Sequence, residues 1–229
     1  MHCSIIIPTL NEAQTIAANL KSLQTFRNCC EIIVVDGGSV DKTVEIAKPL
    51  ADKLITSAKG RAIQMNTGAN IAQGNVLIFL HADTILPENA ISLIQKVTAD
   101  KQHWGHFDVK LHGHHIMLFV IAFLMNCRSR LTDIATGDQV IFASKTLFNS
   151  VGQYPLIPLM EDITLCKKLK GISRPICLSA KVTTSGRRWE HFGIFNTILL
   201  MWRLRLQYFL GADPAKLALL YKEGKFWKM

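Results

Sequence analysis

Four short runs in the first eighty residues constrain this chain more than anything else in it. Ser4–Ile7 (SIII), Ile32–Val35 (IIVV), Lys53–Thr56 (KLIT) and Val76–Leu80 (VLIFL) show no alternation of polar and apolar residues. A strand with one wet face alternates, so runs like these need cover on both faces. Between them lie helical spacings: Asn11 to Leu23 with Ile16, Leu20 and Leu23, a segment through Val44 and Ala47, Arg61 to Ala72, and another after Pro87. Such strands, separated by helices of about 10–15 residues, predict a mostly parallel α/β sheet of Rossmann-like type flanked by helices. Ligands of these sheets bind beyond the carboxyl ends of the strands. Here those ends carry Pro8-Thr9, Asp36-Gly37-Gly38 and His81-Ala82-Asp83. Acids at two strand ends are hard to explain as packing.

The second half is less regular. Trp104–Leu111 alternates like a half-buried strand, His114–Arg130 reads as helix and Gly137–Ser144 (GDQVIFAS) as strand. Glu161–Leu169 is a predicted helix with acid at its start and lysine at its end, as the helix dipole favours. Ile176–Thr183 reads as strand, and Phe192–Leu210 as a long apolar helix interrupted by Arg203 and Arg205. No repeat, low-complexity tract or linker divides the chain. One α/β domain over residues 1–190 is expected, with an apolar and basic helical extension over 191–229.

Composition narrows the class further. At 25.6 kDa the chain should bury about 70% of its extended surface, enough for a core without disulfides. Hydrophobic residues at 49% and charged residues at 19% exclude a disordered chain. The longest apolar run, Ile116–Met125, is about half of what a membrane-spanning helix needs. The chain opens directly into CSIII with no charged leader, so no secretory signal is expected. Its six cysteines form no C-x-x-C pair and read as reduced thiols of a cytoplasmic protein. Charge is unevenly spread. Residues 1–110 carry ten basic and ten acidic side chains, whereas residues 111–229 carry sixteen and seven. That excess predicts either an anionic partner for the second half or a merely solvated basic face.

Each candidate site residue also has a plain structural reading. Thr9 and Glu12 have the spacing of a helix capping box. Asp36 before two glycines suits either a turn or hydrogen bonds from a nucleobase. Arg61, Gln64 and Asn66 lie near one helical turn and could meet a base and ribose or form a polar helix face. His81 and Asp83, two apart past a strand end, should point the same way, unless Asp83 caps the next helix. A metal bridging a diphosphate needs one or two hard oxygen ligands, and Asp83 is one. Glu161 and Asp162 are adequately explained as helix-start acids. Arg187 and Arg188 offer planar forks for a diphosphate, and Trp189 offers a stacking face. His103, His106, His112, His114 and His115 match no tight zinc spacing and read as a solvated or interfacial cluster. The apolar stretches 116–125 and 194–202 are open to a membrane surface or a second copy of the chain. In the first case the flanking Arg128, Arg130, Arg203 and Arg205 would meet anionic lipid.

The ordered motifs IIIPTLNE, VVDGGSVDKT, GRAIQMNTGA, FLHADT and EDITLCKKLK resemble the family 2 glycosyltransferases across most of residues 1–190. They are closest to small stand-alone bacterial members whose metal motif begins with His and that end in SGRRWE-like sequence. The resemblance implies a GT-A fold, a nucleotide-diphosphate sugar donor, a divalent metal (Mn2+ or Mg2+) and inversion at the anomeric carbon. It implies donor contacts from Pro8, Thr9, Glu12, Asp36, Gly37 and Arg61, and from His81, Ala82, Glu161, Arg187, Arg188 and Trp189. Asp83, with His81, would hold the metal, and Asp162 would be the catalytic base. The Gln that precedes RW in processive relatives is absent, which argues for transfer of a single sugar.

The implied function is therefore an inverting transfer from a nucleotide sugar, UDP-linked in the first instance, to a hydroxyl on a small or lipid-linked acceptor. Location would be cytoplasmic or peripheral at the inner face of a membrane, with no nucleic acid bound. Two other classes stay open. A nucleotidyltransferase making the sugar nucleotide would want a glycine-rich basic loop after the first strand, where PTLNE is acidic. A non-enzymatic basic module binding nucleic acid or membrane would not need acids at strand ends.

Overall fold

A computed structural model describes residues 2–98 and 103–224. Seven strands form one sheet in the order β3-β2-β1-β4-β6-β5-β7. They are β1 (Cys3–Thr9), β2 (Cys30–Asp36), β3 (Lys53–Thr56), β4 (Val76–Phe79), β5 (Trp104–His112), β6 (Ile141–Ser144) and β7 (Ile176–Ser185). The first four strands are mutually parallel, as their unbroken apolar sequences predict. β6 runs antiparallel to both β4 and β5, and β5 pairs parallel with β7, so the second half of the sheet is mixed.

Helices cover both faces. They are α1 (Ile16–Leu23), α2 (Thr43–Ala47), α3 (Arg61–Ile71), α4 (Ala90–Thr98), α5 (Met117–Thr132), α6 (Lys145–Ser150), α7 (Glu161–Lys170), α8 (Arg187–Phe192), α9 (Ile194–Phe209) and α10 (Pro214–Glu223). Alternate strand residues supply two cores. Ile5, Ile7, Ile32 and Val34 pack with α1, α4 and α5, while Ile6, Ile33 and Val35 pack with α3, α6 and α7. A third, smaller core of Met160, Ile163, Leu200, Leu204 and Leu217 joins α7, α9 and α10.

At the amino ends of the strands, buried Glu31 accepts from Ser4 Oγ at 2.6 Å, Lys53 Nζ at 2.8 Å and the backbone N–H groups of Gln73 and Gly74. This knot fixes β1, β2, β3 and the β4 approach together. At the other side of the sheet, Asn126 of α5 accepts from Val109 N at 2.8 Å and donates to Val109 O at 3.0 Å. It thereby satisfies β5 where short β6 no longer reaches it.

Several sequence expectations need correction. The first helix begins at Ile16, because Asn11 takes a left-handed φ of 56° and residues 11–15 turn. No Thr9–Glu12 capping box forms: Thr9 ends β1, and Glu12 N instead donates to the Thr43 hydroxyl oxygen at 2.7 Å. Gly137–Gln139 is a 3₁₀ turn capped by Thr136, not strand. β5 is buried from Trp104 through Val109 rather than half-buried. His106 is accordingly a core residue, with Nδ1 at Phe107 O and Nε2 at Cys177 Sγ, and burial lowers its pKa. The expected C-terminal helix stands as α9, and Gly193, at φ 83°, separates it from the short α8, which the sequence reading did not anticipate. Among the described residues no helix is long and apolar enough to cross a membrane.

Candidate functional site

A polar cleft of about 450 Å³ opens at the carboxyl ends of β1 and β4. Of the residues singled out from sequence, Pro8, Glu12, Arg61, His81, Ala82, Asp83, Arg187, Arg188 and Trp189 line it. Leu111, Asp138, Ser185, Thr197, Met201 and Tyr221 complete the wall.

The His81–Asp83 segment is a turn rather than continuing strand, closed by Thr84 N donating to His81 O at 3.1 Å. Asn19 of α1 donates its amide to His81 O and Thr84 O, and Thr84 hydrogen-bonds Thr184 of β7 at 2.9 Å. Two elements thus hold the turn so that both side chains meet the cleft. His81 Nδ1 lies 3.3 Å from Asp138 Oδ1. Its ring sits so close to Gly137 that a Cβ there would run into it.

Arg187 bridges the two acids at the front of the cleft. Its Nη2 is 3.6 Å from Glu12 Oε2 and 3.5 Å from Asp83 Oδ2, while Ser185 Oγ accepts from its Nε. These contacts are long and the groups partly exposed, so each is worth little to stability. Arg188 is spent differently. It stacks 3.6 Å over the Tyr221 ring centroid and donates to Tyr221 O, so its fork secures α10 to α8.

Behind this front lies a second charged layer. Asp162, at the start of α7, accepts from Gly137 N at 2.9 Å and Ile163 N at 2.7 Å, beside Asp138. Glu161 is buried and 3.7 Å from Arg61 Nη1. Desolvation, reinforced by Asp162, raises its pKa against the pull of Arg61. Asp138 moves the other way: desolvation would raise its pKa, but the His81 hydrogen bond and the charges of His81, Arg61 and Arg128 bring it down. Arg128 and Arg205, both partly buried, feel the charges of Asp162 and Asp138. Burial lowers both pKa values, and the Arg205 charge adds to the drop at Arg128, which falls to about 10, while Asp162 and Asp138 oppose the drop at both. Arg128 Nε is buried without a partner. The expectation that these two arginines flank a lipid surface is therefore overturned: hydropathy along a helix does not tell which way an arginine stem runs.

The rest of the expected set is nearby but turned inward. Thr9 and Asp36 pair across β1 and β2. The Asp36 carboxylate accepts from Gly38 N, Ser39 N and Ser39 Oγ, closing a turn on itself. Gly37 backs directly onto Gln64. Buried Gln64 donates to Thr9 O at 2.7 Å and Val35 O at 2.8 Å, and Asn66 holds the Tyr154 backbone, so both are structural. Asp138, Arg128, Arg205 and Tyr221 were missed. A TGDQ turn mistaken for strand concealed Asp138, and no local spacing ties the other three to a cleft.

Could these residues serve a divalent metal? Among the described residues no group of three or more His, Cys, Asp or Glu is disposed to hold one. Asp83 offers hard carboxylate oxygens whose contacts, to Arg187 at 3.5 Å and the Thr84 hydroxyl at 3.4 Å, are both long. That donor set fits an ion that draws its remaining ligands from a diphosphate and water.

A parallel sheet core, an antiparallel β6 and an acid-rimmed cleft at the strand ends define the GT-A class of glycosyltransferase fold. Residues 4–109, from β1 into β5, match the model described as Glycosyl transferase family 2. A PGL/p-HBAD biosynthesis glycosyltransferase of Mycobacterium bovis is 42% identical over 95 residues, which cover 37% of this chain and 36% of that one. The match thus spans about a third of that relative's length. The Escherichia coli UDP-Glc:alpha-D-GlcNAc-diphosphoundecaprenol beta-1,3-glucosyltransferase WfgD is 26% identical across 97% of both chains. In shape, the mannosyltransferase PcManGT of Pyrobaculum calidifontis, solved with GDP-Man and Mn2+, aligns with a TM-score of 0.66 at 19% identity. That alignment covers 97% of this chain and 69% of the other.

Proposed function

We propose that this protein is an inverting glycosyltransferase that moves one sugar from a nucleotide-diphosphate sugar to a hydroxyl acceptor. The observation that carries the reading is the meeting of Glu12, Asp83, Arg187, Arg61 and Asp138 in one cleft beyond parallel strand ends. A UDP-sugar is the first donor to try, and the name of the E. coli relative, which prints UDP-Glc, supports it. The same name prints a lipid-diphosphate acceptor, in keeping with a lipid-linked alcohol here.

In this reading Thr9, Asp36 and Gly37 border the nucleoside, Pro8, Ala82, Glu12 and Arg61 shape the donor cleft, and Trp189 stacks on a sugar. Asp83 would hold Mn2+ or Mg2+, with His81 oriented beside it by Asp138. When bound, that ion supplies positive charge to the leaving diphosphate. Arg187 can turn from Glu12 and Asp83 to a phosphate without crossing the cleft, and Arg128 and Arg205 add charge behind it. Asp162 is the base: held by Gly137 N, it takes the proton of the acceptor hydroxyl as that oxygen attacks. Glu161 fixes Arg61. A second reading gives the base role to Asp138, because Asp138 itself faces the cleft. The exposed apolar stripe Phe195, Leu199, Trp202, Leu206 and Phe209 on α9 supports a peripheral position at the cytoplasmic side of a membrane.

The test is hydrolysis and transfer from a panel of UDP, GDP, CDP and dTDP sugars with and without Mn2+. Asp162→Asn should cut transfer by about a thousandfold while donor binding persists. If Asp138→Asn loses that much and Asp162→Asn does not, the second reading replaces the first. Inactivity with every donor refutes both.

A further inference from the structure

A second cavity adjoins the cleft and has the opposite character. It runs along the outer face of α5 with a volume of about 880 Å³, within the range of about 300–1,000 Å³ for small-molecule sites. Leu118 and Ala122 form its floor, and Phe119 and Phe123, 73% and 59% exposed, form its wall. Leu111 belongs to both this groove and the polar cleft. A smaller hollow between His115, Trp189 and Phe195 joins them on the other side. Asp108 in the groove is neutralised by Arg130 at 3.0 Å, so no unpaired acid faces the apolar wall. Exposed Lys110 and Lys181 stand at its rim.

We propose that this groove takes the apolar chain of an amphipathic acceptor whose hydroxyl-bearing head enters the polar cleft. The proposal rests on the transferase reading and names the acceptor class. Three features favour a single chain over a bilayer or a second protein. The groove is concave, whereas a bilayer needs a convex apolar face. It is continuous with the cleft through Leu111, so one molecule can span both. The lysines at its rim complement an anionic linker between head and chain.

Ethyl, octyl and dodecyl glucoside, kept below micelle-forming concentrations, serve as probes by calorimetry, with UDP-glucose hydrolysis in Mn2+ measured in parallel. Each methylene buried should raise affinity about fourfold, so the dodecyl probe should bind where the ethyl probe does not. Phe123→Asp should weaken dodecyl glucoside about tenfold or more, with donor hydrolysis and circular dichroism unchanged. Phe209→Asp, at a still more exposed phenylalanine on α9, should change neither. A long-chain alcohol bearing a diazirine should photolabel residues 116–127. Equal binding of all three probes, or labelling confined to α9, overturns the groove. So does adsorption to phosphatidylcholine vesicles that Phe123→Asp abolishes without any chain-length preference. If the dodecyl probe binds through Phe123 but no nucleotide sugar is hydrolysed, the groove stands and the transferase reading falls.

Discussion

Glu31 and Asp83 lie at opposite ends of the same parallel strands, and their surroundings differ in kind. Glu31, at the amino end, is 8% exposed in its side chain and accepts four hydrogen bonds, including one from Lys53 at 2.8 Å. Burial raises its pKa, but Lys53, Ser4 and Gln73 more than compensate and bring it down to about 2. Asp83, at the carboxyl end, is 25% exposed and meets only the Arg187 guanidinium at 3.5 Å and the Thr84 hydroxyl at 3.4 Å. One carboxylate is saturated by its own chain; the other keeps its lone pairs for something else. Acids of one sheet can thus be sorted into structural and functional by how completely their oxygens are used.

The contrast breaks or sharpens under substitution. Asp83→Asn should reduce Mn2+-dependent donor turnover about a hundredfold, with the melting temperature moving by no more than about 1 °C. Glu31→Gln should do the reverse. Losing its charge beside Lys53 should cost about 2 kcal/mol, or about 4–8 °C in melting temperature, with turnover per folded molecule intact. Were Glu31→Gln to lose activity without losing stability, the sorting would be wrong. The pH dependence has a definite sign. The folded pKa of Glu31 lies below its unfolded value of about 4.5, so its contribution is complete above that pH. It fades as pH falls toward about 2, and Glu31→Gln should flatten this acid limb in urea titrations. The smallest effect belongs to Arg27, exposed and 2.8 Å from Asp52: Arg27→Ala should change stability by less than about 1 kcal/mol.

Much of the first half was legible because burial on both faces leaves an unmistakable apolar run. Lys53–Thr56 was read to the residue, and the turns after β1, β2 and β4 fell where the strands ended. Asn11 was misread because helical spacing continues through a turn that its left-handed backbone breaks. Asp36 was expected at the cleft rim, but it does not line the cleft and its carboxylate closes its own turn, a choice that sequence leaves open. The second half hid more. Asp138, Arg128, Arg205 and Tyr221 come together from a 3₁₀ turn and three helices distant in sequence, and that convergence is a product of tertiary packing. His106 escaped because its strand alternates, while both its faces are covered by helices and neighbours.

The Asn126 side chain has a consequence beyond its two hydrogen bonds. A primary amide carries one carbonyl and one N–H in the same plane as a peptide unit, so at Val109 it acts as a peptide surrogate. The open border of β5 is thereby sealed against pairing with the strand of another molecule. It also registers α5 to the sheet at a single point, four residues beyond Ala122 and eight beyond Leu118.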